Sequence, residues 1–392
     1  MDAVRNPFAP GAGNPPPELA GRQVLLDQAD VALQRVKQGR ASQSLILVGL
    51  RGVGKTVLLN RIKVMAEGYG YRTAFVEAHE GKSLAELLLP SIRNLLFSFS
   101  MMDAAKEKAR RALRVLRGFL SAIKLNLGQL DLEIGLDAER GVADSGDLES
   151  DLPNLLQVVA EAARAASSSV ALLIDELQYF DEREFSALIM SMHKINQAGL
   201  PFVMFGAGLP QVMALAGESK SYAERLFRYP PIGPLDPEDA AAALRSPIES
   251  EDAAITEPAL ARILELTGAY PYFLQQWGHD CWNTAADPLI ELDDVDRASL
   301  VAIRTLDEGF FKVRFDRCTP SERRYMRALA ELGPGAHRSG DIAQMLGLKT
   351  TSVGPTRGKL IKKGMIYAPA HAETEFTVPL FDEYMRRAMP DL

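Results

Sequence analysis

Three short stretches carry side chains whose types and spacing suit one chemistry, the binding and cleavage of a nucleoside triphosphate. Gly49-Leu50-Arg51-Gly52-Val53-Gly54-Lys55-Thr56 fits G-x-x-x-x-G-K-[ST], the phosphate-binding P-loop. Its glycines let the backbone turn so that successive N–H groups point inward at phosphate oxygens. Lys55 places a point charge near the β- and γ-phosphates, and Thr56 offers a hydroxyl to Mg²⁺. The expected phosphate cradle is Gly49, Gly52, Val53, Gly54, Lys55, Thr56 and Val57. The second stretch is Val170-Ala171-Leu172-Leu173-Ile174 followed by Asp175-Glu176. Asp175 would hold Mg²⁺ through its water shell, and Glu176 would orient and activate the attacking water. The third is Ser221 to Arg228. Phosphoryl transfer commonly needs a further positive charge on the γ-phosphate, often from a neighbouring subunit. Arg225 is the first candidate for it and Arg228 the second.

The elements that would position these groups are legible around them. Ser44 to Val48 is a short apolar run that reads as a buried parallel strand, and Val57 to Ile62 continues with helical spacing. Ala74 to Glu77, Val170 to Ile174 and Pro201 to Gly206 read as further strands. Helices are expected over Leu84–Phe97, Ala104–Phe119, Leu155–Ala166 and about Glu182–Ala198. Alternating strands and helices predict a parallel sheet covered on both faces, and carboxylates ending a central strand of such a sheet face the ligand crevice. The basic residues of the second helix (Lys106, Lys108, Arg110, Arg111, Arg114 and Arg117) read as a solvated surface. Alternating apolar residues over 123–136 suggest an inserted β-hairpin. Residues 138–151 are acidic and contain glycine, the composition of a mobile loop.

The chain has 392 residues, room for two or three domains. It is 47% hydrophobic and 24% charged, an ordinary globular mixture. A net charge of -7 argues against a globally cationic nucleic-acid coat, though not against a local basic patch. Only Cys281 and Cys318 occur, which suits a reducing, cytoplasmic setting better than a disulfide or zinc framework. No apolar run approaches transmembrane length.

Beyond about Pro234 strand signals stop. Helices are expected over Asp236–Leu244, Glu257–Leu266 and Tyr272–Asn283, forming a lid. From Thr319 the pattern is helix (321–332), short helix to Leu346, turn, third helix (351–363), then two short strands around 365–367 and 375–378. That is a winged helix-turn-helix pattern. Lys349, Arg357, Lys359, Lys362 and Lys363 make the third helix and its preceding turn basic, which suits phosphate contacts on double-stranded DNA. Pro355 lies inside the proposed helix, and it could instead mark a first turn. Packing against the nucleotide domain or a protein partner is the competing use of such a module.

Together Gly21-Arg22, the P-loop, Leu172-Leu173-Ile174-Asp175-Glu176, Arg225 and Gly268-Ala269-Tyr270-Pro271-Tyr272 resemble the AAA+ superfamily, in the branch holding origin-recognition initiators and related archaeal and STAND-like ATPases. The resemblance implies an α/β fold: a P-loop AAA+ parallel sheet with a helical lid, plus a C-terminal winged helix-turn-helix domain. The implied divisions are an extended arm (1–20), nucleotide-binding domain (21–233), lid (234–318) and winged helix (319–392). It further implies ATP or ADP with Mg²⁺ between core and lid, Arg22 and the adjoining arm near the adenine, Pro271 at the nucleotide, and a homo-oligomer in which Arg225 completes a neighbour's site. Two departures stand out. Where the fourth strand of this superfamily ends in a polar sensor, this chain has Phe205-Gly206-Ala207-Gly208. Its lid carries Gly268-x-x-Pro271, similar to the switch element of STAND proteins, rather than a sensing arginine. Both point to slow hydrolysis and tight nucleotide retention. The leading expectation is an ATP-dependent switch that positions a winged helix on DNA. The alternative is a STAND-like signalling or assembly ATPase whose winged helix touches protein.

Overall fold

A computed structural model describes residues 1–11, 13–14, 16–123, 137–219 and 223–391. The hairpin expected over 123–136 and the residues Ser221 and Tyr222 therefore fall outside the described residues, Ile123 excepted. The chain divides into two compact units, one of residues 24–48 and 55–231, the other of residues 1–23, 49–54 and 232–392.

The first unit is built on a parallel sheet. Its strands are β1 (Ser44–Gly49), β2 (Tyr71–Glu77), β3 (Ser169–Asp175), β4 (Phe202–Gly208) and the two-residue β5 (Phe227–Arg228), in the order β2-β3-β4-β1-β5. Every residue of β1, β3 and β4 is buried, which explains their unbroken apolar runs. β2 lies at the edge and alternates buried with exposed positions. The helices that cover the sheet run Lys55–Gly68, Leu84–Ser100, Lys106–Ile123, Leu148–Ala165 and Glu182–Gln197. Two of them open with reciprocal capping boxes, Ser83 with Glu86 and Asp181 with Glu184. The basic face of helix 106–123 meets acidic partners: Arg111 and Arg114 reach Glu139 at 2.9 and 3.6 Å, and Lys108 reaches Glu161 at 3.9 Å. Its other face buries Ala109, Ala112, Leu113, Leu116 and Leu120.

The acidic stretch before helix 148–165 is not the loose loop that its composition suggests. Asp151 is 1% exposed and accepts hydrogen bonds from Ser145 N (3.2 Å), Ser145 Oγ (2.8 Å) and Gly146 N (2.8 Å). A buried carboxylate that gathers three donors pins the turn in front of its own helix.

In the second unit, four helices run Pro237–Ser250, Glu257–Thr267, Pro271–Thr284 and Leu292–Thr305. The first passes through Pro247 and extends beyond the expected end. Strands are not absent here: Ala254–Ile255 pairs in parallel with Leu289–Ile290. The N-terminal segment is docked rather than free. Phe8 is buried and its ring lies where a Cβ on Gly278 would stand, 2.8 Å away. Trp282 Nε1 donates to Asp2 O at 2.8 Å, and Asn6 Nδ2 donates to His279 O at 3.0 Å.

The C-terminal residues of this unit form helices Pro320–Glu331, Ser339–Met345 and Thr350–Lys362 with an antiparallel sheet of His337–Arg338, Glu373–Phe376 and Ile366–Tyr367, then a last helix, Phe381–Ala388. The three helices and the two strands after them come in the expected order, while strand His337–Arg338 and the last helix were not expected. Pro355 sits in the interior of a continuous third helix, not at its first turn. Aromatic rings join the segment before this module to its last helix: Tyr272 stacks on Phe310 (4.4 Å between centroids), and Phe311 packs on Tyr384 (5.3 Å) and Phe381 (5.7 Å). No helix among the described residues is long and apolar enough to cross a membrane.

Candidate nucleotide-binding site

The loop after β1 has the backbone that its glycines allow. Gly52 and Gly54 have φ of +87° and +93°, a region where an L side chain is strained. Nothing lies within 4 Å of the position a Cβ would take on Gly54, so the loop leaves open space there. A 14-residue helix begins at Lys55, and the N-terminus and dipole of a helix favour an anion. Lys55 is 6% exposed. Its charge acts on Asp175, and a triphosphate would add to the negative charge that a buried ammonium needs.

Asp175 ends β3 in register with Glu77 on β2 and is 2% exposed. Thr56 Oγ1 donates to Asp175 Oδ2 at 2.5 Å, while Asp175 Oδ1 accepts the Glu176 N–H at 2.8 Å. Burial pushes the Asp175 carboxyl above the usual aspartate range; the Thr56 hydroxyl opposes this without cancelling it. A hydroxyl and a carboxylate brought together beside an anion site form a hard oxygen pair, the donor set that Mg²⁺ takes when it bridges to phosphates. The residues therefore fit the metal. Glu176, half-buried, has φ 57° and ψ 40°, left-handed for a residue with a side chain. Such strain persists only where surrounding structure enforces it.

Gln178 holds the side chain of Glu176, and sequence reasoning missed it. Its Nε2 donates to Glu176 Oε2, and its Oε1 accepts the Leu209 N–H at 3.0 Å. Ala207, where a polar sensor was sought, is fully buried. The polar group near the end of β4 is borne instead on the turn after β3. The signal that could have found it is the pair Gly206 and Gly208, small residues that make room for a neighbour.

Within the second unit, the P-loop backbone has protein partners. Arg22, 8% exposed, donates from Nη2 to Gly233 O (2.6 Å) and Val53 O (3.3 Å). Burial lowers its pKa, against the opposing charges of Asp239 and Asp236. Pro271 is the first residue of its helix. Its neighbours hold the loop: Tyr270 Oη donates to Arg51 O at 2.5 Å and Tyr272 N donates to Gly52 O at 3.2 Å. Burial pushes the Tyr270 hydroxyl far up, so it stays a neutral donor. Gly268 and Ala269, both at φ 56°, make the turn ahead of it. The Arg51 N–H donates to Thr377 O, just beyond strand Glu373–Phe376, at 3.1 Å.

Arg225 is exposed in the short helix Ala223–Leu226, its backbone carbonyl accepting from Gln43 Nε2 at 2.9 Å. Arg228 donates from Nε to Gln43 Oε1 at 2.8 Å. On the C-terminal module, Lys349, Lys359 and Lys362 are exposed. Arg357 and Lys363 are engaged inside it: Arg357 donates to Thr374 Oγ1 (2.9 Å) and Glu373 O (2.7 Å), and Lys363 pairs with buried Glu322 at 2.7 Å.

Residues 18–205 match the AAA ATPase domain family, and residues 308–385 match a family described as a domain of unknown function. No curated protein matches the sequence. Among solved structures, the chain is similar to the RuvB Holliday junction branch migration motor of Thermotoga maritima, 14% identical over 93% of this chain and 94% of that one, with a TM-score of 0.43. It is also similar to the Aeropyrum pernix Orc1 protein in complex with DNA, at 12% identity, 98% and 96% coverage and a TM-score of 0.47. A third similarity is to Cdc6p from Pyrobaculum aerophilum, at 13% identity, 99% coverage of both chains and a TM-score of 0.47.

Proposed function

We propose that this chain, whose residues 18–205 match the AAA ATPase domain family, is a slow ATP-hydrolysing switch whose nucleotide state is passed to its C-terminal module, and that the module holds double-stranded DNA. The observation that carries the reading is the pair of bonds on Arg51, from Tyr270 Oη to its carbonyl and from its N–H to Thr377 O. A P-loop that changes shape between ATP and ADP pulls directly on the start of helix 271–284 and on the wing. A ligand moves an equilibrium only by its differential interaction with the two states, and in this reading the bonds on Arg51 carry that difference onward from the loop.

In this reading the chain comprises the arm (1–20), nucleotide domain (21–233), lid (234–318) and winged helix (319–392). The P-loop N–H groups and Lys55 bind the phosphates, Thr56 and Asp175 hold Mg²⁺, and Glu176 orients the attacking water. Mg²⁺ held there would neutralise phosphate charge. Arg22 buttresses the loop from behind, through Val53 O. Exposed Arg225 reaches a neighbouring copy's site in a homo-oligomer. Lys349, Lys359 and Lys362 form the DNA-facing set, with Arg357 and Lys363 reserved for the module's own integrity.

The test is duplex DNA binding with ADP and with a non-hydrolysable ATP analogue. The wild type should bind in a nucleotide-dependent manner, and Lys359→Glu with Lys362→Glu should remove binding while leaving ATP affinity unchanged. Unaltered DNA binding in the double variant refutes the DNA assignment.

One observation favours protein over DNA as the partner. Met345 and Leu348 are 37% and 53% exposed beside Lys349, an apolar edge that phosphates do not need. If the module gates assembly instead, the sedimentation of the protein changes between nucleotide states in the absence of DNA, as a STAND-like ATPase requires.

A further inference from the structure

Gln178 lies two residues past Glu176, in the turn Leu177–Tyr179. Its amide joins two elements. Leu209 is fully buried, so its N–H needs an acceptor, and Gln178 Oε1 is that acceptor at 3.0 Å. This bond fixes the other end of the amide. A backbone N–H can only donate, so the carbonyl oxygen of the side chain must face Leu209 and the NH₂ must face Glu176. The carboxylate Oε2 of Glu176 accepts from it.

β4 is shaped for this arrangement. A Cβ on Gly208 would stand 2.5 Å from Val212 Cγ2 and 3.1 Å from Gln178 Oε1, and one on Gly206 would stand 2.5 Å from Leu177 Cδ1. Both positions must stay bare for the turn after β3 to lie against the end of β4. The carboxylate that is tied down belongs to a residue already held in left-handed backbone by its neighbours.

We propose that Gln178 is the positioning residue of Glu176, tethering its carboxylate to the end of β4 from the turn after β3. It takes the place of a polar side chain on β4 itself. This rests on the reading of Glu176 as the water-orienting residue of an ATPase site. The amide touches neither Lys55, Thr56 nor Asp175 among its described bonds, so it acts on hydrolysis and not on nucleotide capture.

Three variants test this, each measured for turnover, Mg–ATP affinity with a fluorescent analogue, and melting temperature. Gln178→Glu retains an acceptor for Leu209 N–H but turns a carboxylate toward Glu176. Gln178→Leu removes both bonds. Gly208→Ala keeps the amide but sets a methyl 3.1 Å from its Oε1 and 2.5 Å from Val212 Cγ2. A misplaced reacting group costs on the order of 10²-fold per ångström, so kcat should fall about tenfold or more in all three, with ATP affinity within about twofold of wild type. Should Gln178→Leu fold poorly, Gln178→Glu carries the test, because it preserves the β4 contact. Unchanged or raised kcat in Gln178→Glu and Gly208→Ala overturns the proposal, as does an equal loss of ATP affinity. A wild type that hydrolyses no faster than Glu176→Gln instead overturns the ATPase reading, and the proposal with it.

Discussion

Replacing Lys363 by alanine should unsettle the C-terminal module rather than weaken a nucleic-acid contact. Lys363 Nζ sits 2.7 Å from Glu322 Oε2 and also donates to Arg317 O at 3.0 Å. Glu322 is 2% exposed, and Lys363 is 28% exposed. Breaking a wholly buried pair costs about 3–5 kcal/mol because a charge is left without compensation. Here the cost is lower. The ammonium is partly solvated already, and Glu322 keeps the Thr319 N–H at 2.7 Å, its capping-box partner. About 2 kcal/mol is the working value, which for a unit of this size is roughly 4–8 °C in Tm. The pH dependence adds a second check. Burial works to raise the Glu322 pKa, but hydrogen bonds from Lys363 and Thr319 outweigh it and hold the carboxyl below the ordinary glutamate range. A depressed folded pKa stabilises above the ordinary value, and that contribution is lost as pH falls through the folded one. The deficit of Lys363→Ala should therefore be full at neutral pH and shrink on acidification below the ordinary glutamate value. Thermal melts of Lys363→Ala beside Lys359→Ala and Lys362→Ala from neutral to acid pH measure this. If all three variants melt together with wild type at pH 7, the buried pair does not stabilise the module and the reasoning fails.

Three further substitutions have definite expectations. Gly52→Ala puts a methyl 3.0 Å from Tyr272 Cβ at a φ of +87°; the strain is on the order of 1–3 kcal/mol, and titration with labelled ATP should show at least tenfold weaker binding. Tyr270→Phe removes the donor to Arg51 O, worth about 1 kcal/mol, and should reduce ATP affinity a few-fold with the fold intact by circular dichroism. Asp151→Ala strands the N–H groups of Ser145 and Gly146 at a cost of about 1–3 kcal/mol, and faster amide exchange over residues 137–147 should reveal it.

The site was more legible than the way it is braced. Glycine spacing, Lys55-Thr56 and a buried run ending in Asp175-Glu176 are local patterns, each dictated by backbone geometry or strand burial within a few residues. The strands β1 to β4 followed from apolar runs, with ends displaced by at most three residues, whereas the two-residue strands Phe227–Arg228, Ala254–Ile255, Leu289–Ile290 and His337–Arg338 did not. Gln178 was not legible, because its role depends on β3 and β4 being sheet neighbours, with Ile174 opposite Gly206. Lys363 read as a surface charge for a similar reason: its partner lies 41 residues away on another helix. The acidic stretch before helix 148–165 read as loose because composition cannot show that Asp151 turns inward.

The bond between Arg51 N and Thr377 O joins two peptide groups. Neither side chain takes part, so alanine scanning across both segments leaves it whole, and almost any residue can occupy either position without erasing it. A mutational survey would conclude that the C-terminal module and the P-loop are strangers. Only a change to the main chain, such as proline or an ester linkage at position 51, cuts the connection, and those are the substitutions by which communication along this path should be sought.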